Sequence, residues 1–297
     1  MPTTEAPSLI QTRDIEAEDL GRATIAGSRR YALTSRLVDQ TFIVDVARPT
    51  LPTPADRPLP VIYVLDADGA FGVTAQTARM LQMEAAGLPP VLVVGVGYRY
   101  SSPKLARAEH GAWRTRDFSP SLDRFSAPHT RAALAEAGYE AEVRYGGAAA
   151  FLAFLTEELR PFIAACYATN PSDQTLVGMS LGGLFSLYAL FQAPAAFNRH
   201  LIVSPALWWD ERIIFAEEAA YAEIATDLPA KVFLGVGASE EADGAPYWPV
   251  SNLAALDAAL RGRRYPELHL THHVFPDETH MSVYPGAVSR GLRALFK

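Results

Sequence analysis

Short, dense apolar runs recur along the chain with no polar alternation: Val61 to Leu65, Val91 to Val96, Thr175 to Val177, Leu201 to Val203 and Val232 to Val236. Strands buried on both faces look like this, as in a parallel sheet covered by helices. Between the runs, Thr74 to Ala86, Gly147 to Ala165, Gly182 to Gln192, Glu211 to Ala225, Leu253 to Arg261 and Gly286 to Phe296 place apolar residues at helical spacing. Strand and helix therefore alternate, the pattern of an α/β fold. Upstream, Tyr31 to Val46 is interrupted at Asp39 and Gln40, which predicts two antiparallel strands joined by a turn. Leu51 to Pro60 holds four prolines and reads as a loop. One segment breaks the rhythm. Ser101 to Gly146 is rich in Arg, Ser, Pro and Ala, and loops of that length are usually functional or disordered. It is expected to be an excursion over the substrate entrance, with a short helix near Thr130 to Ala137. On this pattern residues 1–30 form a polar extension and 31–297 one domain.

Charge and cysteine usage narrow the classes. The net charge of -7 opposes binding to a polyanion, so nucleic acid is not an expected partner. The single cysteine, Cys166, cannot form an internal disulfide. It continues the apolar series Phe151, Leu155, Leu159, Phe162 and is expected to pack in the core. Met1 to Leu20 carries Glu5, Asp14, Glu16, Glu18 and Asp19 and has no basic start followed by an apolar stretch, so it does not read as a signal peptide. No window approaches the roughly 18 apolar residues needed to span a bilayer. A cytoplasmic protein with no membrane partner is the expectation.

The chemistry concentrates at Gly178-Met-Ser180-Leu-Gly182, a G-x-S-x-G that follows a predicted strand and precedes a predicted helix. That context points to an α/β-hydrolase fold: a mostly parallel central sheet, an antiparallel N-terminal hairpin and helices on both faces. In this setting the serine sits on a tight, strained turn with its Oγ exposed at the carboxyl edge of the sheet. Small residues at 178 and 182 let the strand and helix backbones pass close to it. Serine needs a base within hydrogen-bond reach. In this fold class the order is Ser, then Asp or Glu, then His, which removes His110 and His129. His200 opens the next strand, and His269, His272 and His273 lie within the strand Leu268 to Phe275. Adjacent His272 and His273 point to opposite faces, so they make a poor metal pair. His280 alone follows that last strand in a loop before the final helix, and it is the candidate base.

The acid should come from the loop after Lys231 to Val236. There Glu240 is the first choice, lying closest to the strand end, with Glu241 second and Asp243 third. For the oxyanion, one donor is the Leu181 N–H. The second is the Asp68 N–H, with Ala67 as the fallback, from the turn Asp66 to Gly72, whose glycines suit close backbone approach. Trp208 and Trp209 follow the strand Leu201 to Val203 at its carboxyl end, and Arg114 and Arg116 lie in the long excursion on the same edge. An aromatic wall and a guanidinium pair suit an ester with an aromatic or anionic part.

With these elements placed, the chain resembles the esterase D superfamily, particularly its enterochelin-esterase-like and siderophore-hydrolase-like branch. The resemblance rests on Val61-Ile-Tyr-Val-Leu-Asp66-Ala-Asp68, Arg116-Asp117-Phe118-Ser119-Pro120, Gly178-Met-Ser180-Leu-Gly182-Gly183, Ser204-Pro205-Ala-Leu-Trp208-Trp209-Asp210 and Thr279-His280. It implies Ser180 and His280 as the catalytic pair, Leu181 and Asp68 as oxyanion donors, and Glu240 as the acid. The expected activity is hydrolysis of a small-molecule carboxylic ester through an acyl-serine intermediate, with no cofactor and no metal. Acyl transfer of the mycolyltransferase type and a non-catalytic binding role on a hydrolase scaffold are the alternatives. Substrate identity and oligomeric state stay open at this level.

Overall fold

A computed structural model describes residues 9–12, 15–18, 24–50, 57–84, 87–241 and 247–297. Most of the N-terminal extension before residue 24, Leu51 to Asp56 of the proline-rich stretch, the last two positions of the helix expected to reach Ala86, and Asp243 lie outside them. Leu9–Thr12 (β1) and Ile15–Glu18 (β2) pair antiparallel as a separate ribbon. The main sheet comprises Ser28–Ser35 (β3), Gln40–Ala47 (β4), Leu59–Val64 (β5), Leu92–Tyr98 (β6), Thr169–Met179 (β7), Arg199–Val203 (β8), Lys231–Gly237 (β9) and His269–Phe275 (β10). Their spatial order is β10-β9-β8-β7-β5-β6-β4-β3. The hairpin β3–β4 is antiparallel and joins β6 antiparallel. From β6 to β10 every pairing is parallel.

The helices are Ala67–Gln82 (α1), Ala106–Phe118 (α2), Ala127–Glu136 (α3), Ala148–Ala153 (α4), Arg160–Cys166 (α5), Leu181–Gln192 (α6), Trp209–Ile224 (α7), Pro249–Arg263 (α8) and Val283–Leu295 (α9). They cover both faces of the sheet. Along β5, Val61 and Tyr63 point into the cluster shared with α4, α6, α7 and α8, whereas Ile62 and Val64 point into the one shared with α1 and α9. Period-2 alternation of a pleated strand thus feeds two apolar cores. Each fully buried aliphatic or Phe side chain contributes about 1.5–3 kcal/mol to holding them. Among the described residues no helix is long and apolar enough to cross a membrane.

Two expectations change. The excursion at 101–146 holds two helices rather than one, and α2 was invisible to the pattern because its buried face is mostly small or polar: Ala108, Ala112, Thr115 and Asp117, closed by Phe118. Cys166 is exposed, not in the core. Between α4 and α5 the backbone makes a π-helical turn at Phe154–Leu159. An extra residue in that turn rotates α5 relative to α4, so the buried face passes through Ile163 and leaves Cys166, the last residue of α5, outside it.

Candidate active site

β7 ends at Met179 and α6 begins at Leu181, so Ser180 alone turns the chain. Its φ of 57 and ψ of -120 lie where L-residues are rarely found. Such a conformation costs on the order of 1–3 kcal/mol and persists only when its surroundings impose it. Here they do. The Ser180 N–H donates to the Val203 carbonyl at 3.0 Å, and the Ser180 carbonyl accepts from the N–H groups of Leu184 and Ala206, both at 3.0 Å. A β-carbon at Gly178 would sit 2.0 Å from the Gly182 carbonyl oxygen, and one at Gly183 would sit 3.0 Å from Pro205 Cα. At Gly182 the nearest atom, Asp66 Oδ2, would be 3.4 Å away, an ordinary contact. The close approach expected at 178 and 182 therefore falls on 178 and 183.

Ser180 lines a cavity of about 860 Å3 together with His280, Asp66, Asp68, Tyr100, His110 and Arg114. Glu240 stands just behind His280, on a 3-10 turn, Ala238–Glu241, that comes directly after β9. Its side chain is only 3% exposed, and its Oε2 accepts the His280 Nδ1–H at 2.6 Å. Oε1 accepts the Ser204 hydroxyl at 2.6 Å and the Gly237 N–H at 2.8 Å. Burial pushes the Glu240 carboxyl up, but the hydrogen bonds from His280, Ser204 and Gly237 outweigh it and hold the group below its usual range. An ionised carboxylate only accepts, so it fixes the imidazole proton on Nδ1 and leaves Nε2 available as a base.

The two loops that carry Glu240 and His280 are pinned together. Ser239 N–H donates to the Glu278 carbonyl at 3.0 Å, and a β-carbon at Gly237 would come within 2.2 Å of that same oxygen. Glu241 is engaged elsewhere: it accepts the N–H of Ser251 at 2.6 Å and its hydroxyl, at the start of α8. Ser204 could not be found by spacing, since its contribution depends on two chain segments meeting.

The segment expected to be a turn from Asp66 to Gly72 is instead the first part of α1, so Gly69 and Gly72 meet no close backbone. The only left-handed residue there is Asp66, with φ 51. Gly69 and Ala70 both donate to the Asp66 carbonyl, at 3.1 Å each. The N–H groups of Ala67 and Asp68 precede them in the first turn, where a helix has no internal acceptor to offer. Leu181 holds the equivalent place in α6.

Across the cavity α2 presents two cations. Arg114 Nε and Nη2 donate to the two Asp66 carboxylate oxygens at 2.9 and 2.8 Å. His110 Nε2 lies 3.4 Å from Asp66 Oδ1, and Nδ1 lies 2.9 Å from the Tyr100 hydroxyl oxygen, whose own proton goes to Asp68. Burial lowers the His110 pKa, but Asp66 and Asp68 more than reverse this and raise it to about 9. Asp66 is likewise held well below the carboxylate range: burial opposes ionisation, and Arg114 and His110 overcome it. Because the folded His110 pKa lies above the ordinary 6.5, its stabilisation is complete below about pH 6.5 and fades as pH rises through about 9. Thermal unfolding of wild type and His110→Gln between pH 6 and 10 checks this: the wild-type advantage should shrink from about pH 6.5 upward and level off above about pH 9.

Of the proposed recognition residues only Arg114 lines the cavity. Arg116 pairs with Asp117 at 2.6 and 3.0 Å and borders a separate 140 Å3 hollow beside Trp113 and Tyr139. Trp209 is 2% exposed and donates its Nε1–H to the Ser121 carbonyl, and Trp208 packs on Tyr247. His200 is fully buried against Ser186 and the Phe197 carbonyl, and burial lowers its pKa to about 4. The cavity residues Arg107 and His110 were missed because α2 was missed, and Tyr100, after β6, joins them only through its contacts with Asp68 and His110. Among the described residues no group of three His, Cys, Asp or Glu side chains is arranged to hold a metal.

Comparison with known proteins places this geometry. The family model "Putative esterase" matches residues 117–273. The chain is 30% identical over 275 residues to the ferri-bacillibactin esterase BesA of Bacillus subtilis, covering 91% of this chain and 90% of that one. It is 27% identical over 264 residues to the siderophore triacetylfusarinine C esterase of Aspergillus fumigatus, covering 81% and 82% of the two chains. The crystal structure of the BES protein from Bacillus cereus superposes with a TM-score of 0.78 at 28% identity, over 94% of this chain and 98% of that one. The fold is that of the α/β-hydrolases and the activity that of a carboxylic ester hydrolase: this chain belongs to the esterase family.

Proposed function

We propose that the protein hydrolyses siderophore-like esters through an acyl-Ser180 intermediate, with His280 as general base, Glu240 as the acid that orients it, and Leu181 with Asp68 or Ala67 as oxyanion donors. The observation that carries this reading is the buried Glu240 carboxylate 2.6 Å from His280 Nδ1, in a cavity whose wall also holds Ser180 on its strained turn. Nε2 of such an imidazole takes the serine proton as Oγ attacks the ester carbon. In this reading the new oxyanion is assigned to the first-turn N–H groups of α1 and α6, which have no acceptor within their own helices, and the partial positive charge of each helix start adds to them. The imidazolium then protonates the leaving alcohol, and water, activated by the same His280, releases the acid.

The substrate class rests on the three curated relatives named for siderophore esters, two of which align along most of their length with this chain. A cavity of this volume is within the range of small-molecule sites. The excursion 101–146 supplies one wall of the site within a single domain spanning 31–297, and the cytoplasmic placement expected from the sequence belongs to the same proposal. Activity on a panel of p-nitrophenyl esters of graded acyl length, plus a catechol trilactone and a hydroxamate ester, tests it. kcat/KM for the siderophore-type esters should exceed that for the simple alkyl esters at least tenfold. Equal rates across the panel would remove the substrate assignment and leave a general esterase.

A further inference from the structure

The cavity wall opposite His280 presents a chemical difficulty. The Asp66 carboxylate immediately precedes the N–H groups of Ala67 and Asp68 and lies against the nucleophile turn, close enough that a β-carbon at Gly182 would be 3.4 Å from its Oδ2. A carboxylate in that place opposes the growth of negative charge on the ester oxygen. It also stands on a left-handed residue, φ 51, with no side-chain hydrogen bond capping its own helix. Both problems are answered from α2. Arg114 grips both carboxylate oxygens, at 2.9 and 2.8 Å, and His110 approaches one of them at 3.4 Å.

We infer that Arg114, assisted by His110, is a positioning residue of the esterase reaction: through Asp66 it fixes the backbone that carries the Ala67 and Asp68 N–H groups, and it neutralises the carboxylate that would otherwise repel the oxyanion. The inference rests on the oxyanion assignment made above. It also gives Arg114 a task other than binding an anionic substrate, because its Nε and Nη2 are both committed to Asp66. A planar, bidentate guanidinium suits this better than an ammonium, since it fixes the orientation of the carboxylate as well as its charge. His110 reaches the same carboxylate from its own helix. The groups around it are Asp66 and Asp68 at the β5–α1 junction, Tyr100 after β6, and Arg114 one turn further along α2.

The test uses p-nitrophenyl acetate, a neutral ester with no charge for an arginine to recognise. Arg114→Ala should lower kcat about 100-fold, the size of losing an oxyanion donor, with KM changed less than about threefold. Adding Asp66→Asn should restore at least tenfold of that loss, because the removed cation no longer leaves a bare carboxylate behind. Arg114→Lys, which keeps the charge without the fork, should fall between wild type and Arg114→Ala, and it carries the test if circular dichroism shows Arg114→Ala unfolded. A raised KM with unchanged kcat, or a double variant as slow as Arg114→Ala, overturns the inference. Ser180→Ala is assayed alongside: if it stays active the site assignment itself has failed, whereas an inactive Ser180→Ala beside a full-rate Arg114→Ala removes the clamp alone.

Discussion

Ser180→Ala is expected to lower ester turnover by about 10⁵-fold or more, while the melting temperature stays within a few degrees of wild type. Among the described residues lining the cavity, Ser180 is the one serine, and there is no cysteine, threonine or lysine to replace it. Loss of Oγ therefore removes the acyl-enzyme route altogether. The fold should tolerate the change because the φ of 57 is imposed through the backbone, by the bonds to Val203, Leu184 and Ala206, and not by the hydroxyl. Alanine carries the same β-carbon as serine, so no new contact arises at the turn. Initial rates on p-nitrophenyl acetate, together with thermal unfolding by circular dichroism, check both halves. The burst of p-nitrophenol that accompanies acyl-enzyme formation should vanish as well. Turnover near wild type would end the assignment of the nucleophile.

Local pattern carried the sheet further than it carried the site. Runs such as Val61 to Leu65 and Val232 to Val236 are legible because burial on both faces leaves no polar position in the strand, and that is a property of each run by itself. The turn at Ser180 is legible for a related reason: strand, glycine, serine and helix are contiguous in the chain. The features that escaped depend on segments far apart. Ser204, Tyr100 and His110 acquire their partners only when β8 meets the Glu240 loop and when α2 meets the β5–α1 junction at Asp66 and Asp68. α2 itself escaped because a helix that buries alanine, threonine and an ion-paired aspartate shows no apolar stripe to a periodicity argument. Trp208 and Trp209 stood at the right edge of the sheet by position along the chain. Their direction was not encoded there, and three consecutive left-handed residues, Asp210, Glu211 and Arg212, kink the start of α7 just after Trp209. The Asp66 to Gly72 segment shows the converse error. Its glycines suggested a turn, yet Gly69 has open space around it and the helix runs through both.

His280→Ala should cost as much as Ser180→Ala, on the order of 10⁵-fold in kcat, and combining the two should cost no more than either alone, because nucleophile and base act as a unit. The reason lies in the geometry: Glu240 is committed to Nδ1, so Nε2 is the only part of the pair free to take the Ser180 proton. His110, though in the same cavity, cannot deputise. With a pKa raised to about 9 it is protonated at neutral pH and donates toward Asp66, so it has no lone pair to offer. Glu240→Gln should be milder, about 10⁴-fold, since the amide can turn its NH2 toward Nδ1 and leave the imidazole in the wrong tautomer without removing it. Glu241→Gln should stay within about twofold, because the Glu241 carboxylate is spent on Ser251 at the start of α8. Steady-state kinetics on all five variants at pH 8, with p-nitrophenyl acetate, decide it. Additive losses in Ser180→Ala/His280→Ala would separate the two residues into independent roles, and a Glu241→Gln defect larger than that of Glu240→Gln would move the acid to the neighbouring position.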